Sequence, residues 1–170
     1  MSLLPNEDEV LRIVVNTKRD KDNNVDLSWR YFDLFPHDVG CLSVDWLQMT
    51  TIDETIARVG AQWNPRKEDF KQYDNRAVFG LSVERIRTLK EKGIGIVDVF
   101  HSPLLNDPEL FGVPNNASHS CIQFASHESD QVHICSKLRE FAKDNPKEIN
   151  WDNVNELVEK MRETHMALKK

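Results

Sequence analysis

Few of the features that mark common enzyme families are present in this sequence. Only six glycines occur among its 170 residues. They are scattered, so they form neither a Walker nor a Rossmann phosphate-binding loop. The Gly-x-Ser-x-Gly motif of α/β-hydrolases is missing as well. These absences argue against the usual kinds of nucleotide-dependent chemistry, and no cofactor is expected.

Long apolar runs and a secretory leader are also missing. The longest nearly uncharged apolar stretches, such as residues 94–100, are far shorter than the roughly 20 residues of a membrane-spanning helix. The first residues show neither a basic start nor an apolar segment. The three cysteines are odd in number and widely spaced, unlike a secreted disulfide framework. The sequence therefore predicts a cytoplasmic protein without membrane contact, in which Cys41, Cys121 and Cys135 are reduced.

Excess positive charge is absent too. The chain carries 22 basic and 28 acidic side chains, for a net charge of −6. Proteins that bind nucleic acid through its backbone are usually basic, so a nucleic-acid partner is not expected. A hydrophobic content of 39% fits a soluble globular domain. We expect a flexible lead-in over residues 1–9 and one domain over residues 10–170.

The hydrophobic pattern predicts an α+β domain with about five strands and flanking helices. Strands are expected at residues 10–15, 39–47, 77–81, 94–100 and 118–125. Helices are expected at residues 52–60, 64–73, 82–93, from 129 or 130 to 145, and 151–168. Thr51 and Glu54 form a capping-box pattern before the first helix. Residues 77–100 have the spacing of one βαβ unit, and the last helix has an amphipathic pattern.

Histidines cluster in the second half of the chain. Four of the six lie between residues 101 and 133, and histidine exchanges protons near neutral pH. His101 follows a predicted buried strand, while His119 and Cys121 alternate on the next strand and so share a face. One hypothesis is therefore a proton-transfer or nucleophilic site formed by His101 and His119, with Cys121 as a nucleophile. The alternative is that these are rim histidines and a core cysteine.

Two His-x-Cys pairs in the sequence contain the residue types that bind zinc. His119 with Cys121 and His133 with Cys135 would supply four suitable ligands. Their spacing matches no zinc module, and residues 133 and 135 fall on a predicted helix, where they point apart. No metal site is expected.

Three short motifs resemble a group of small uncharacterised bacterial proteins from mobile or defence gene neighbourhoods. They are Gly40-Cys41-Leu42-Ser43-Val44, Leu81-Ser82-Val83 and Ala117-Ser118-His119. This resemblance covers the middle of the chain and implies a bacterial protein, but no activity. A fainter similarity is to ADP-ribosyltransferase-like toxins, in which an arginine, a small hydroxyl residue and an acidic residue handle NAD. It points to Arg12, Ser43 and Glu54, although Glu54 also suits the capping box.

The leading functional hypothesis is an accessory module without catalysis that binds a protein partner or a second copy of itself. The alternative is a small enzyme. It would be either an NAD-dependent ADP-ribosyltransferase-like protein using Arg12, Ser43 and Glu54, or a histidine-centred enzyme using His101 and His119. A concave pocket lined by convergent polar groups would favour an enzyme.

Overall fold

A computed structural model describes residues 1–22, 25–32, 40–64, 66–73, 75–105, 115–125 and 128–167. The strands are β1 (Ser2–Leu3), β2 (Glu9–Val14), β3 (Cys41–Trp46), β4 (Trp63–Asn64), β5 (Asp69–Phe70), β6 (Ala77–Ser82), β7 (Ile96–His101) and β8 (His119–Phe124). The α-helices are α1 (Ile52–Gly60), α2 (Val83–Glu91), α3 (Glu128–Lys143) and α4 (Trp151–Ala167). Short 3-10 turns cover Trp29–Phe32 and Leu47–Met49. The prediction of an α+β domain with a C-terminal helix is confirmed.

Six of these strands form one sheet, in the order β1-β7-β8-β3-β2-β6. Every neighbouring pair is antiparallel. The helix α2 does connect β6 to β7, but three other strands lie between them. Because neighbouring strands alternate in direction, β6 and β7 run parallel, so residues 77–100 form the predicted βαβ unit as a crossover over those three strands.

The sheet carries a separate apolar core on each face. Alternation along β2 places Val10 and Val14 in the first core and Leu11 in the second. In the first core the sheet packs against α2 and α3, and the aromatic residue Phe32 is fully buried there. Phe32 belongs to the aromatic-rich stretch 29–35, whose composition predicts a core position, and residues 33–35 of this stretch lie outside the described ranges.

The second core lies beneath α1 and α4. Val154 and Val158 of α4 are buried beside Ile56 and Ala57 of α1 and Val78 of the sheet. The predicted apolar stripe of the last helix is confirmed at Val154, Leu157, Val158 and Met161, whereas Trp151, its expected first member, is 41% exposed. The capping box is confirmed as well: the Thr51 hydroxyl accepts from the Glu54 amide, and the Glu54 carboxylate accepts from the Thr51 amide.

The predicted helix at residues 64–73 is wrong. A short hairpin of β4 and β5 occupies this segment, and the rings of Trp63 and Phe70 meet edge to face at 5.1 Å. Glu68, in the turn, has a φ of 51°, a left-handed value that interrupts a helix. Residues 66–69 are charged, so the segment offers no apolar face to a helix.

Residues 1–9, predicted as a lead-in, contribute to the sheet. Ser2–Leu3 pairs with β7 at the sheet edge, and Leu4 is buried in the first core. Asp8 accepts hydrogen bonds from the Trp46 indole and the Gln48 amide. The segment is therefore held by both backbone and side-chain contacts.

Candidate functional site

A row of polar side chains crosses the middle of the sheet on the α1 side. Leu42 and Val44 of β3, and Ile122 and Phe124 of β8, face the first core. Their neighbours therefore face the opposite side. We call this set the polar face: Cys41, Ser43 and Asp45 of β3, with His119, Cys121 and Gln123 of β8. Ser43 lies opposite Cys121, and Asp45 lies opposite His119, so the six side chains are neighbours across two strands.

Ser43 and His119 form a hydrogen-bonded pair on the polar face. The distance from His119 Nε2 to Ser43 Oγ is 3.2 Å, and His119 Nδ1 lies 2.7 Å from the carbonyl oxygen of Ser102. A carbonyl can only accept, so Nδ1 must carry the proton when His119 is neutral. Nε2 then keeps its lone pair and accepts from the Ser43 hydroxyl. Ser43 is exposed and His119 is half-buried.

A buried network lies next to this pair. Asp45 accepts from Arg58 Nη2 at 3.2 Å and from Asn116 Nδ2 at 2.6 Å. Arg58 Nη2 also lies 3.0 Å from Ser118 Oγ, which donates to Asn116 Oδ1. We call Asp45, Arg58, Asn116 and Ser118 the buried network. It fixes α1 and the segment before β8 to the sheet beside His119.

The buried network is not fully satisfied. Arg58 is 85% buried at its side chain, and its Nε has no acceptor among the described residues. A buried donor without a partner costs stability. Polar networks that a fold keeps at such a cost are concentrated at functional sites, so this network supports the polar face as the candidate site.

His101 is not brought together with His119. It lies opposite Ser120, the neighbour of His119, and so faces the first core. Its Nε2 donates to the Ala117 carbonyl at 2.7 Å, and its ring contacts Trp46 with the centroids 5.2 Å apart. The hypothesis that these two histidines share one ligand has no support in this arrangement.

Arg12, Ser43 and Glu54 are not brought together either. Arg12 donates from Nε and Nη2 to the Tyr31 carbonyl. It also donates to the backbone carbonyl of Ser43, whose side chain faces the other way. Hydrogen bonds from the Thr51 amide and from Thr50 and Thr51, with the charge of Arg58, lower the pKa of Glu54 despite its partial burial. Glu54 therefore acts as a helix cap, and the constellation of the ADP-ribosyltransferase-like toxins is not assembled.

The expectation of three reduced cysteines is overturned for two of them. Cys41 and Cys121, on the polar face, are joined by a disulfide with their Cα atoms 5.5 Å apart. This contact could not be predicted from the local sequence, because the two cysteines are 80 positions apart in the chain. Cys135 lies outside this disulfide and is fully buried, and its thiol lies 3.0 Å from the Phe32 carbonyl. Cys121 is therefore not available as a nucleophile for His101, which faces the opposite side.

Two cavities lie away from the pair. One cavity of about 640 Å³ is bounded by Leu3, Arg87 and Asp98, and another of about 380 Å³ by Thr51 and Asn150. Neither is lined by Ser43, His101 or His119, so these two cavities do not meet the pocket criterion for an enzyme at the pair. Within the described ranges, His, Cys, Asp and Glu side chains form no group of three that could hold a metal. No described helix has the length and apolarity needed to cross a membrane.

Comparison with known proteins adds no relative. No family model, curated protein or solved structure matches this chain. The function is therefore argued from the polar face alone.

Proposed function

We propose that this protein is a small acyl-transfer enzyme that hydrolyses carboxylic esters, with Ser43 as nucleophile and His119 as general base. The observation that carries the proposal is the double hydrogen bond of His119. Its Nδ1 is held by the Ser102 carbonyl, and its Nε2 accepts from the Ser43 hydroxyl. A nucleophile, a base and a group that orients the base are the three parts that nucleophilic catalysis requires. This is the histidine-centred alternative, with Ser43 in place of His101.

The proposed reaction uses these atoms in turn. Ser43 Oγ attacks the ester carbonyl carbon, and its proton moves to His119 Nε2. The imidazolium, stabilised by the Ser102 carbonyl, then protonates the departing alcohol and leaves an acyl group on Ser43. Neutral His119 next takes a proton from water, whose oxygen attacks the acyl carbon. The imidazolium then returns this proton to Ser43 Oγ as the bond to the acyl group breaks, which releases the carboxylic acid and regenerates the pair. General base catalysis of this kind contributes roughly 100- to 10,000-fold to a rate.

The surroundings of Ser43 favour an apolar acyl group. Ser43 of β3 pairs with Cys121 of β8. Cys121 in turn pairs with Phe100 of β7, and Phe100 pairs with Leu3 of β1. These four side chains form a row on one face of the sheet, with neighbouring strands about 4.8 Å apart. Leu3 is 57% exposed, so apolar surface is accessible at the far end of the row. An extended acyl chain lying along this row would cross three strands.

Hydrolysis of p-nitrophenyl acetate and p-nitrophenyl octanoate tests the proposal. We expect the wild type to prefer the octanoate, and both Ser43→Ala and His119→Gln to lower kcat/KM by about 100-fold or more. Ser102→Ala is the matched control. It should keep the activity, because the hydrogen bonds between Ser102 and His119 use the backbone of Ser102 and not its side chain.

Surface histidines also hydrolyse activated esters slowly, so the Ser43→Ala variant decides the outcome. If that variant keeps wild-type activity, the hydrolysis comes from an imidazole and the proposed nucleophile is wrong. If Ser102→Ala loses the activity together with the other two, the effect reports damage to the fold. Circular dichroism of all variants separates these two results.

A second candidate function is self-association without catalysis, in keeping with the leading hypothesis from the sequence. It is favoured by β1, which ends the described sheet on one side and carries an exposed Leu3. The outer side of an edge strand presents backbone N–H and C=O groups with which another chain can pair. Light scattering should then show a dimer that Leu3→Lys dissociates, whereas a monomeric wild type would remove this candidate. We further propose a bacterial, cytoplasmic setting, on the resemblance of the middle motifs to those of small bacterial proteins.

A further inference from the structure

We propose that Cys41 and Cys121 form a reversible redox site, whose disulfide a small dithiol opens and a small disulfide such as oxidised glutathione closes, within the folded protein. The proposal rests on the positions of the cysteines and is independent of the esterase proposal. In a cytoplasmic protein, disulfides are usually transient and serve catalysis or redox sensing.

The fold brings the two cysteines together without needing the bond. Their Cα atoms are 5.5 Å apart, within the range that a disulfide spans. They lie on neighbouring strands, β3 and β8, which are paired over five consecutive register positions from Cys41 to Asp45. This backbone ladder stays in place when the sulfurs separate. Opening the bond therefore does not require the sheet to unfold.

The two sulfurs differ in their exposure, which sets the direction of attack. Cys121 is 5% exposed, whereas Cys41 is half-buried at the start of its strand. An external thiolate therefore reaches Cys41 Sγ first, and Cys121 is the leaving group. Cys135 is on the other side of the sheet, fully buried and bonded to the Phe32 carbonyl. Cys135 therefore takes no part in the thiol–disulfide exchange, and it serves as an internal reference for a thiol that the fold protects.

The exchange is balanced in electrons and protons. One thiolate of the dithiol attacks Cys41 Sγ, the bond between the cysteines breaks, and Cys121 Sγ leaves as a thiolate and takes up a proton. The second thiol of the reagent then displaces Cys41, which leaves as a thiolate and is protonated. The dithiol is oxidised to a disulfide, and Cys41 and Cys121 together gain two electrons and two protons.

The redox site adjoins the Ser43–His119 pair. Ser43 lies two residues after Cys41, and His119 lies two residues before Cys121, all on the polar face. Opening the disulfide frees two thiols beside the imidazole. The NMR signals of His119 should therefore shift between the oxidised and reduced protein, whether or not the pair is catalytic.

Equilibration of the folded full-length protein in buffers with varied ratios of reduced and oxidised dithiothreitol, a small dithiol and its disulfide, tests this site. After rapid alkylation with excess N-ethylmaleimide at neutral pH without denaturant, mass spectrometry should show Cys41 and Cys121 modified together, as the buffer becomes more reducing. Cys135 should remain unmodified until denaturant is added. Far-ultraviolet circular dichroism should be the same at both ends of the titration.

Two results would overturn the proposal. One is alkylation of Cys41 and Cys121 at every buffer ratio, which would mean that the disulfide does not form. The other is reduction that modifies Cys135 in parallel or changes the circular dichroism, which would mean that the bond opens only on unfolding. Cys41→Ser should abolish the titration and leave Cys121 singly modified. Cys135→Ala, the control, should keep the titration midpoint unchanged.

Discussion

Replacing Arg58 with methionine is expected to lower the free energy of unfolding by about 3 to 5 kcal/mol, the usual cost of removing one partner of a buried ion pair. Asp45 would then be left buried, with Asn116 as its remaining side-chain donor. Ser118 and two threonines of the α1 region would also lose contacts with the guanidinium. Urea denaturation followed by circular dichroism measures this loss.

The matched control for Arg58 is Arg66→Met. Arg66 is exposed, and a surface substitution usually stays within about 0.5 kcal/mol. The double variant Arg58→Met with Asp45→Asn should recover part of the loss, because the uncompensated charge is removed. Equal denaturation midpoints for wild type and Arg58→Met would contradict the description of the buried network.

Replacing Asp98 with asparagine is expected to destabilise the protein by about 2 to 3 kcal/mol at neutral pH. Asp98 is buried at the end of the sheet, where it accepts from Arg87 at 2.9 Å and from Lys90 at 2.7 Å. Burial would raise the pKa of Asp98. Hydrogen bonds from Lys90, the Val99 amide and Arg87, with the charge of Arg87, outweigh it and lower the pKa.

The lowered pKa of Asp98 fixes the direction of the pH dependence. A carboxyl group with a lower pKa in the folded state stabilises the protein above its unfolded pKa, and this contribution is lost as the pH falls through the folded pKa. The difference between wild type and Asp98→Asn should therefore be full at pH 7 and shrink below about pH 4. Glu156→Gln, at a fully exposed pair with Lys160, should leave the midpoint unchanged. A difference that grows in acid would contradict the assignment.

Most elements of the fold could be predicted from local signals. The alternating residues of β2, the capping box at Thr51 and the serine cap of α2 each act within a few residues, so the sequence shows them directly. The hairpin at β4 and β5 was missed because its short strands are fixed by the contact of Trp63 with Phe70. The strand order could not be predicted either, because it depends on pairing between segments that are distant in the sequence.

The candidate site was predicted only in part, because its contacts are long-range. Ser43 and His119 were both singled out, but in separate hypotheses, and they lie 76 residues apart. Asp45 and Asn116 are separated by 71 residues, and Arg58 and Ser118 by 60. The alternation of Cys41, Ser43 and Asp45 on one strand was a usable signal for the polar face. His101 was misplaced because a shift of one residue along a strand moves a side chain to the other face.

Labelling with a fluorophosphonate tests the central claim most directly, because this reagent reacts with an activated serine and leaves ordinary hydroxyls unmodified. We expect one adduct per chain, located on Ser43 by peptide mass spectrometry. It should be at least about 100-fold slower to form in His119→Gln and unchanged in Ser102→Ala. An unlabelled wild-type protein, or an adduct on any serine other than Ser43, would contradict the assignment of Ser43 and His119 as nucleophile and base.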